Sequence, residues 1–484
     1  MRRCPRLMPQ SMSMRTKRIV PLIVAVALFM ENMDSTVIAT SLPAIAAAIG
    51  TNPLALKLAV TCYLLSLAIF IPASGWTADR FGARTVFRAA IAVFVLGSIG
   101  CAAATSLTSF VFARIVQGIG GAMMTPVGRL VLVRTTDRRA LVGAMVWVTM
   151  PALIGPIIGP PVGGFITTFF AWQWIFLINV PIGLIGIALV TRFIEDIRAA
   201  APPFDFAGMG LAGLSVGGLA FGLSVLGLDY LPWPIVATLI GGGALAAVAY
   251  VAHARVTPTP VLDLSLFAVP TFRASIVGGF LFRVGVGAMP FLLPLMLQLG
   301  FNLTPFQSGL ITFFSALGAM TMKTAVAGIL RQFGFRTVLT VNALVSSAFL
   351  AACAVFTLGI PFPAMMAVLA VGGFFRSLEF TSISALAYAD IEPQRLGRAT
   401  ALASVAQQLA LSTGVAVGAL AVELTVRFGH QGAITAADFA PAFLFVAAIS
   451  SLSALAFWRL PAEAGAELAA RTPTPTEASD QRLG

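Results

Sequence analysis

The chain has 484 residues, 58% of them hydrophobic and only 10% charged, with a formal net charge of +12. A soluble domain carries about a quarter charged residues, so this composition excludes a chain kept in water by its own surface. The apolar residues fall in blocks of roughly 20, long enough as helices to cross a hydrocarbon core of about 30 Å, and they lack the alternation of a membrane barrel.

A basic tail, residues 1–18, precedes a first block over 19–42 that contains Glu31 and Asp34. Its basic-then-apolar start has the form of a signal peptide, but no convincing cleavage site follows, and the block reads as span 1. Further spans are expected at 54–76, 85–105, 109–133, 140–169 and 172–194. A polar linker with Pro202 and Pro203 leads to a two-span hairpin, 206–228 and 232–253, and a second linker with Pro258 and Pro260 completes the segment 195–271. The last six spans are 272–297, 305–330, 337–358, 363–388, 398–425 and 439–459, before a polar tail, 460–484, expected to be disordered. The expected fold is all-α and integral to the membrane. It has fourteen transmembrane helices: a six-helix bundle over 19–194, the two-helix insertion, and a second six-helix bundle over 272–459.

An internal repeat supports this division. Phe81-Gly82-Ala83-Arg84-Thr85-Val86 recurs as Phe333-Gly334-Phe335-Arg336-Thr337-Val338. The copies follow spans 2 and 10, so equivalent loops lie eight spans apart and two spans must intervene between duplicated halves.

The basic residues are placed asymmetrically. Arg2, Arg3, Arg6, Arg15, Lys17 and Arg18 precede span 1; Arg80, Arg84 and Arg88 follow span 2; Arg134, Arg138 and Arg139 follow span 4. Arg198, Arg255, Arg273, Arg331, Arg336, Arg395 and Arg398 lie in later alternate loops, against only Lys57 and Arg427 on the other side. This is the positive-inside pattern: both termini are expected in the cytoplasm, and no basic stripe is left for a nucleic acid. Cys4, Cys62, Cys101 and Cys353 are isolated, so neither a disulfide nor a metal site is expected. His253 and His430 lie at loop edges, no Walker loop is present, and no nucleophile–base set points to an enzyme.

The chemistry lies in polar residues that lipid penalises by at least ~2.5–3.5 kcal/mol per ionised group near the bilayer centre. Glu31 and Asp34 sit three apart on one helical face, as a proton carrier or a counter-charge for a cation would. The plainer alternative for each is a static pair with an arginine. Arg114 in span 4 needs an acidic or carbonyl partner; Gln117 shares its face, and Asp34 is its most attractive candidate. Gly155, Gly159, Pro160, Gly163 and Gly164 in span 5 should kink and pack tightly, either as a functional element or as a generic small-residue face. Arg376 and Glu379 in span 12, three apart, either neutralise each other or serve coupling. Arg283 and Lys323 have no assigned partner; they could line a pathway, or Lys323 could snorkel.

Four of these segments carry a family resemblance. Met33-Asp34-Ser35-Thr36-Val37-Ile38, continuing to Leu42-Pro43, resembles the span 1 motif of the fourteen-span drug:proton antiporters of the major facilitator superfamily. Gly75-Trp76-Thr77-Ala78-Asp79-Arg80-Phe81-Gly82-Ala83-Arg84 is similar to the superfamily's signature loop, with Thr77 for the usual leucine and Ala83 for a basic residue. Arg114 to Gly121 resembles its RxxQGxG motif, and Gly159, Pro160, Gly163 and Gly164 match the antiporter GPxxGG core. Arg376 to Ser382 through Tyr388-Ala389-Asp390, with Gln407-Gln408, resembles the EmrB/HsrA branch of the EmrB/QacA type.

The resemblance covers residues 19–459 and implies the major facilitator fold in a bacterial cytoplasmic (inner) membrane. It implies proton-coupled export of amphipathic, often cationic or lipophilic, toxic compounds by alternating access. Asp34, Glu31 and Arg114 would carry coupling, and Gly75, Asp79, Arg80, Gly82 and Arg84 the conformational switch; Asp79 could cap the next helix while Arg80 or Arg84 locks its neighbours. Gln117, Arg283, Arg376, Glu379 and Gln407 are candidates for substrate or coupling roles. No cofactor is expected beyond the proton. The expected partners are the lipid bilayer, a small amphipathic substrate, and a periplasmic adaptor with an outer-membrane channel; the chain itself would act as a monomer. Export of one endogenous metabolite, or a transport-inactive receptor, are the other readings of this scaffold.

Overall fold

The computed structural model describes residues 14–136, 141–196, 198, 203–226, 228, 230–429 and 434–468. Arg2, Arg3, Cys4, Arg6, Arg138, Arg139, Pro202, His430 and the tail beyond 468 lie outside the described residues. Every regular element among the described residues is helical. That is what lipid demands of an open chain, because a helix satisfies its backbone hydrogen bonds within itself.

In chain order the helices are α1 (Met14–Val37), α2 (Leu42–Ala48), α3 (Lys57–Phe70), α4 (Ser74–Phe81), α5 (Ala83–Ala102), α6 (Leu107–Thr135), α7 (Leu141–Phe169), α8 (Trp174–Leu177) and α9 (Asn179–Phe193). There follow α10 (Phe206–Val225), α11 (Trp233–Val256), α12 (Pro270–Leu295), α13 (Pro305–Ala352), α14 (Phe362–Leu386), α15 (Leu396–Gly429), α16 (Phe439–Ser451) and α17 (Ser453–Trp458). Among the described residues, twelve helical stretches are long and apolar enough to cross a membrane, and α7 ends in a shorter apolar helix, Ile154–Phe169. Depending on how α7 and the bent α13 are divided, the chain has about 12 to 14 apolar membrane helices.

The expected loop between spans 10 and 11 is a break inside α13, where Gly334 takes φ +74°. Its repeat partner Gly82, between α4 and α5, takes φ +94°. Both copies of the FGxRTV segment therefore turn on a glycine in the region that a Cβ disfavours. At Gly82 a Cβ would also run into the Asp196 carboxylate. The sequence repeat is thus a backbone repeat as well.

Packing differs between the two ends of the molecule. Near the ends of α1, α12 and α15 away from the arginine-rich loops, one apolar cluster joins N-terminal residues such as Ile45, Phe110 and Trp172 to C-terminal ones such as Phe291, Phe439 and Phe443. Towards the arginine-rich loops, residues 20–194 and 282–460 each form a cluster of their own, and a third, with Tyr250, Phe272 and Leu402, reaches the N-terminal helices at Ala68 of α3. α10 and α11 pack on each other, with α10 against α3 and α15. Phe206, Trp233 and Leu245 stay about two-thirds exposed on this pair (68%, 67% and 71%), a surface suited to lipid.

Candidate functional site

Five helices converge on Asp34, which is only 2% exposed. Arg114 of α6 donates to Asp34 Oδ2 at 2.7 Å, and Gln117, one turn along, donates to Oδ1 at 2.8 Å. Asn179, at the start of α9, donates to the same Oδ1 at 3.0 Å. Ser98 of α5 accepts from both Gln117 (2.8 Å) and Asn179 (3.3 Å), and Arg114 also donates to Gln117 Oε1 at 2.5 Å. Tyr63 of α3 lies under the guanidinium, 4.1 Å from Arg114 Cζ to the ring centroid. A buried ion pair stays favourable only when further hydrogen bonds satisfy it, and here both carboxylate oxygens are bonded, while Arg114 Nε is buried without a hydrogen-bond partner among the described residues.

Glu31, one turn earlier on α1, is half-buried and accepts from Thr125 of α6 at 2.5 Å. The two carboxylates thus share a face but have different partners. Arg114 answers Asp34, while Glu31 is held by a neutral hydroxyl.

The signature loop places Asp79 in the last turn of α4, where it accepts from Arg134 at the end of α6 at 2.5 Å. Asp79 does not cap α5, whose N-cap is Gly82 without a side-chain bond. The lock at this point comes from Arg134 rather than from Arg80 or Arg84. Gly75 faces open space, where a Cβ would meet nothing within 4 Å.

The glycines of α7 do require their small size. A Cβ on Gly163 would strike the carbonyl of Val37, and one on Gly164 the carbonyl of Pro305 at the start of α13. The GPxxGG segment therefore clamps α1 on one side and α13 on the other. Gly155 and Gly159 face α1 in the same way, against the Met33 backbone and Thr36. Pro160 offers its carbonyl to Thr40 at 3.3 Å.

The same end holds polar ties between N- and C-terminal helices. Lys57 Nζ donates to Glu423 of α15 at 2.9 Å and to the Leu226 carbonyl at 3.2 Å; Lys57 is fully buried. Gln298 donates to the Thr40 carbonyl at 2.9 Å, and the Phe306 amide to Thr168 at 3.0 Å. The molecule is closed here.

Between α7, α12, α13 and α14 lies a cavity of about 390 Å³, running from Thr312 towards Lys323 along α13. Its wall is mostly apolar, with Met289, Met320 and Phe380, and Lys323 and Arg376 also line it. Thr36 of α1 and Ala39, in the 3-10 turn after it, reach it, whereas Asp34 faces the other way, into its own network. Arg376 and Glu379 do not pair: Arg376 donates to Ser315 at 3.0 Å, while buried Glu379 accepts from Asn342 at 2.7 Å. A second cavity, about 50 Å³, brings Arg283 and Gln407 together with Tyr388. Arg283 lies 4.8 Å from the Phe380 ring centroid. Among the described residues no cluster of His, Cys, Asp or Glu could hold a metal ion.

Asn179, Ser98, Tyr63, Asn342 and Glu423 are absent from the sequence-derived set. Asn179 and Glu423 carried a usable signal, being polar residues within or at the edge of apolar blocks. Ser98 and Tyr63 did not, since such residues are common in membrane helices.

A helical membrane protein whose buried ion pair sits beside an apolar cavity between its N- and C-terminal helices has the build of a secondary transporter. The Major Facilitator Superfamily pattern matches residues 24–289 and 275–479, and the chain belongs to that family. It is 37% identical over 453 residues to the "Putative multidrug resistance protein MdtD" of Salmonella typhimurium, covering 91% of this chain and 94% of the relative. The protein of the same name from Salmonella paratyphi B is 36% identical over 451 residues, with the same coverage. The fold is similar to the crystal structure of a D-xylose-proton symporter, with a TM-score of 0.67 at 16% identity, over 93% of this chain and 99% of that one. The protein is a multi-pass membrane transporter and not an enzyme.

Proposed function

We propose that this chain is a proton-coupled antiporter that exports amphipathic drugs or toxic compounds from the cytoplasm by alternating access. The observation that carries the reading is the Asp34–Arg114 pair, sealed among five helices one helical face away from an apolar cavity. While Asp34 is ionised it compensates Arg114. Once it takes a proton, the guanidinium is left buried without its counter-charge, a condition that costs several kcal/mol and is relieved only by rearranging the helices. Proton binding is thereby converted into helix movement.

The scaffold for this movement is fourteen spans, counting α7 as one and α13 as two divided at Gly334, in six-helix halves separated by α10 and α11. The arginine-rich end faces the cytoplasm, by the positive-inside rule, as do both termini. The Lys57–Glu423 tie and the α7–α13 clamp then close the outer side, and the cavity belongs to an inward-facing state. An inner membrane at 100 mV supplies ~2.3 kcal/mol per charge, enough for roughly a 50-fold gradient before the chemical proton term is added. No cofactor takes part. The chain works as a monomer of the EmrB/QacA type, with a periplasmic adaptor and an outer-membrane channel as its partners.

The test is transport in proteoliposomes. An imposed pH gradient should drive a lipophilic dye uphill, with proton release on dye addition. A reconstituted chain that moves no compound in response to the gradient contradicts the reading.

A further inference from the structure

The central cavity has an unbalanced charge. Lys323 and Arg376 line it, and no Asp or Glu is among its lining residues. Each cation is held only by a neutral hydroxyl: Lys323 donates to Thr381 at 2.7 Å and Arg376 to Ser315 at 3.0 Å. Neither has a carboxylate within ion-pair distance among the described residues. The nearest acid along the helix, Glu379, is turned away to Asn342. On the N-terminal side, Asp34 is committed to Arg114, Gln117 and Asn179.

A cation entering this space meets two like charges in an apolar, weakly screening surround, and no carboxylate of the wall to receive it. An anion meets the opposite. A planar carboxylate or sulfonate suits the guanidinium fork, Lys323 adds a point charge, and Met289, Met320 and Phe380 receive an apolar body.

We propose that the central cavity takes amphipathic organic anions, with the acidic head against Arg376 and Lys323 and the apolar body against the methionine and phenylalanine wall. This rests on the efflux reading above and narrows it to a substrate class. It also has an energetic consequence. An anion leaving and a proton entering both carry positive charge inward, so one-for-one exchange is electrogenic, whereas exchange of a monovalent cation for a proton is electroneutral.

The experiment reconstitutes the full chain and compares three probes under an imposed pH gradient: 8-anilinonaphthalene-1-sulfonate, its uncharged parent N-phenyl-1-naphthylamine, and ethidium. The sulfonate should move roughly tenfold or more faster than the parent, and an inside-negative potential should speed it further. Arg376→Gln and Lys323→Gln should each lower the sulfonate-to-parent ratio roughly tenfold, the scale of one charged hydrogen bond. Arg376→Lys should restore part of it. Monodisperse elution and melting temperature check that each variant folds; Lys323 is exposed to the cavity, so its variant stands even if Arg376→Gln does not. Preference for ethidium or the parent, or a ratio unchanged in the variants, overturns the anion assignment and leaves proton-coupled efflux standing. No pH-driven movement of any probe overturns the efflux reading and this inference with it.

Discussion

Asp34 and Arg376 are both charged groups that a membrane penalises, yet their surroundings differ in kind. Around Asp34 the neighbours are partners: an arginine and a glutamine from α6 and an asparagine from α9 donate to one carboxylate. Around Arg376 and Lys323 the partners are single hydroxyls, and a cavity of about 390 Å³ opens beside them. A satisfied charge in a closed network suits a small mobile ion that enters and leaves by itself. An unsatisfied charge on a cavity wall suits a larger guest that supplies the missing counter-ion. On the proposed function, the contrast divides the work: proton handling by the N-terminal helices and substrate recognition by the C-terminal ones.

The strongest way to break this contrast is to empty one side of the buried pair. Arg114→Ala leaves Asp34 buried without its cation, which costs about 3–5 kcal/mol. Transport should be lost, and the melting temperature in detergent should fall by many degrees. Adding Asp34→Asn to it should restore most of the stability and none of the transport. If the double variant melts as low as the single one, the pair is not what the alanine disrupted.

A smaller effect is expected at the closed end. Lys57→Met leaves Glu423 without its 2.9 Å partner and should loosen the tie between α3 and α15 by about 1–3 kcal/mol. A cysteine placed at Thr168 should then react several-fold faster with a membrane-impermeant maleimide. Unchanged labelling would show that the α7–α13 clamp alone holds this end shut.

Asn179→Leu removes one of the donors to Asp34 and sharpens the comparison from inside the network. It should cost about 1 kcal/mol, and transport should fall up to tenfold with its pH optimum moved. A variant with the wild-type pH profile would make Asn179 a packing residue only.

The smallest effect lies outside the membrane, at Asp205, the N-cap of α10. Burial acts to raise its carboxyl, but the Gly208 and Val261 amides and His253 outweigh that and hold it below the usual carboxylate value. Its stabilisation is therefore complete above the unfolded value of about 3.9 and is lost as pH falls through the lower folded value. Asp205→Asn should cost about 1 kcal/mol at pH 7 and progressively less under acid conditions, read from melting curves. A cost that grows on acidification would contradict this assignment.

Much of this was legible in the sequence, for identifiable reasons. Asp34 and Arg114 stand out because ionised residues in apolar spans are rare and must find one another, and the FGxRTV repeat foretold the matching turns at Gly82 and Gly334. The partners of Asp34 were less legible. Asn179 is visible as a polar residue at the edge of an apolar block, but nothing local ties it to a carboxylate 145 positions away, and Ser98, which accepts from Gln117 and Asn179, is cheap enough in a membrane helix to escape notice. The Lys57–Glu423 tie is hidden in the sequence because it joins residues 366 apart, and Lys57 reads as a loop charge although it is buried at the start of α3. The separation of Arg376 from Glu379 was equally beyond reach: a spacing of three allows a pair, but only the position of α13, with Ser315 and Asn342, decides where each side chain turns.

The division of labour is tested most directly by Asp34→Asn in proteoliposomes, with two fluxes measured on one preparation. Uphill export of the anionic dye under a pH gradient should vanish, while exchange of labelled for unlabelled dye at equal pH on both sides should continue. Uphill pumping that survives the substitution would mean that the proton is carried somewhere else in the chain.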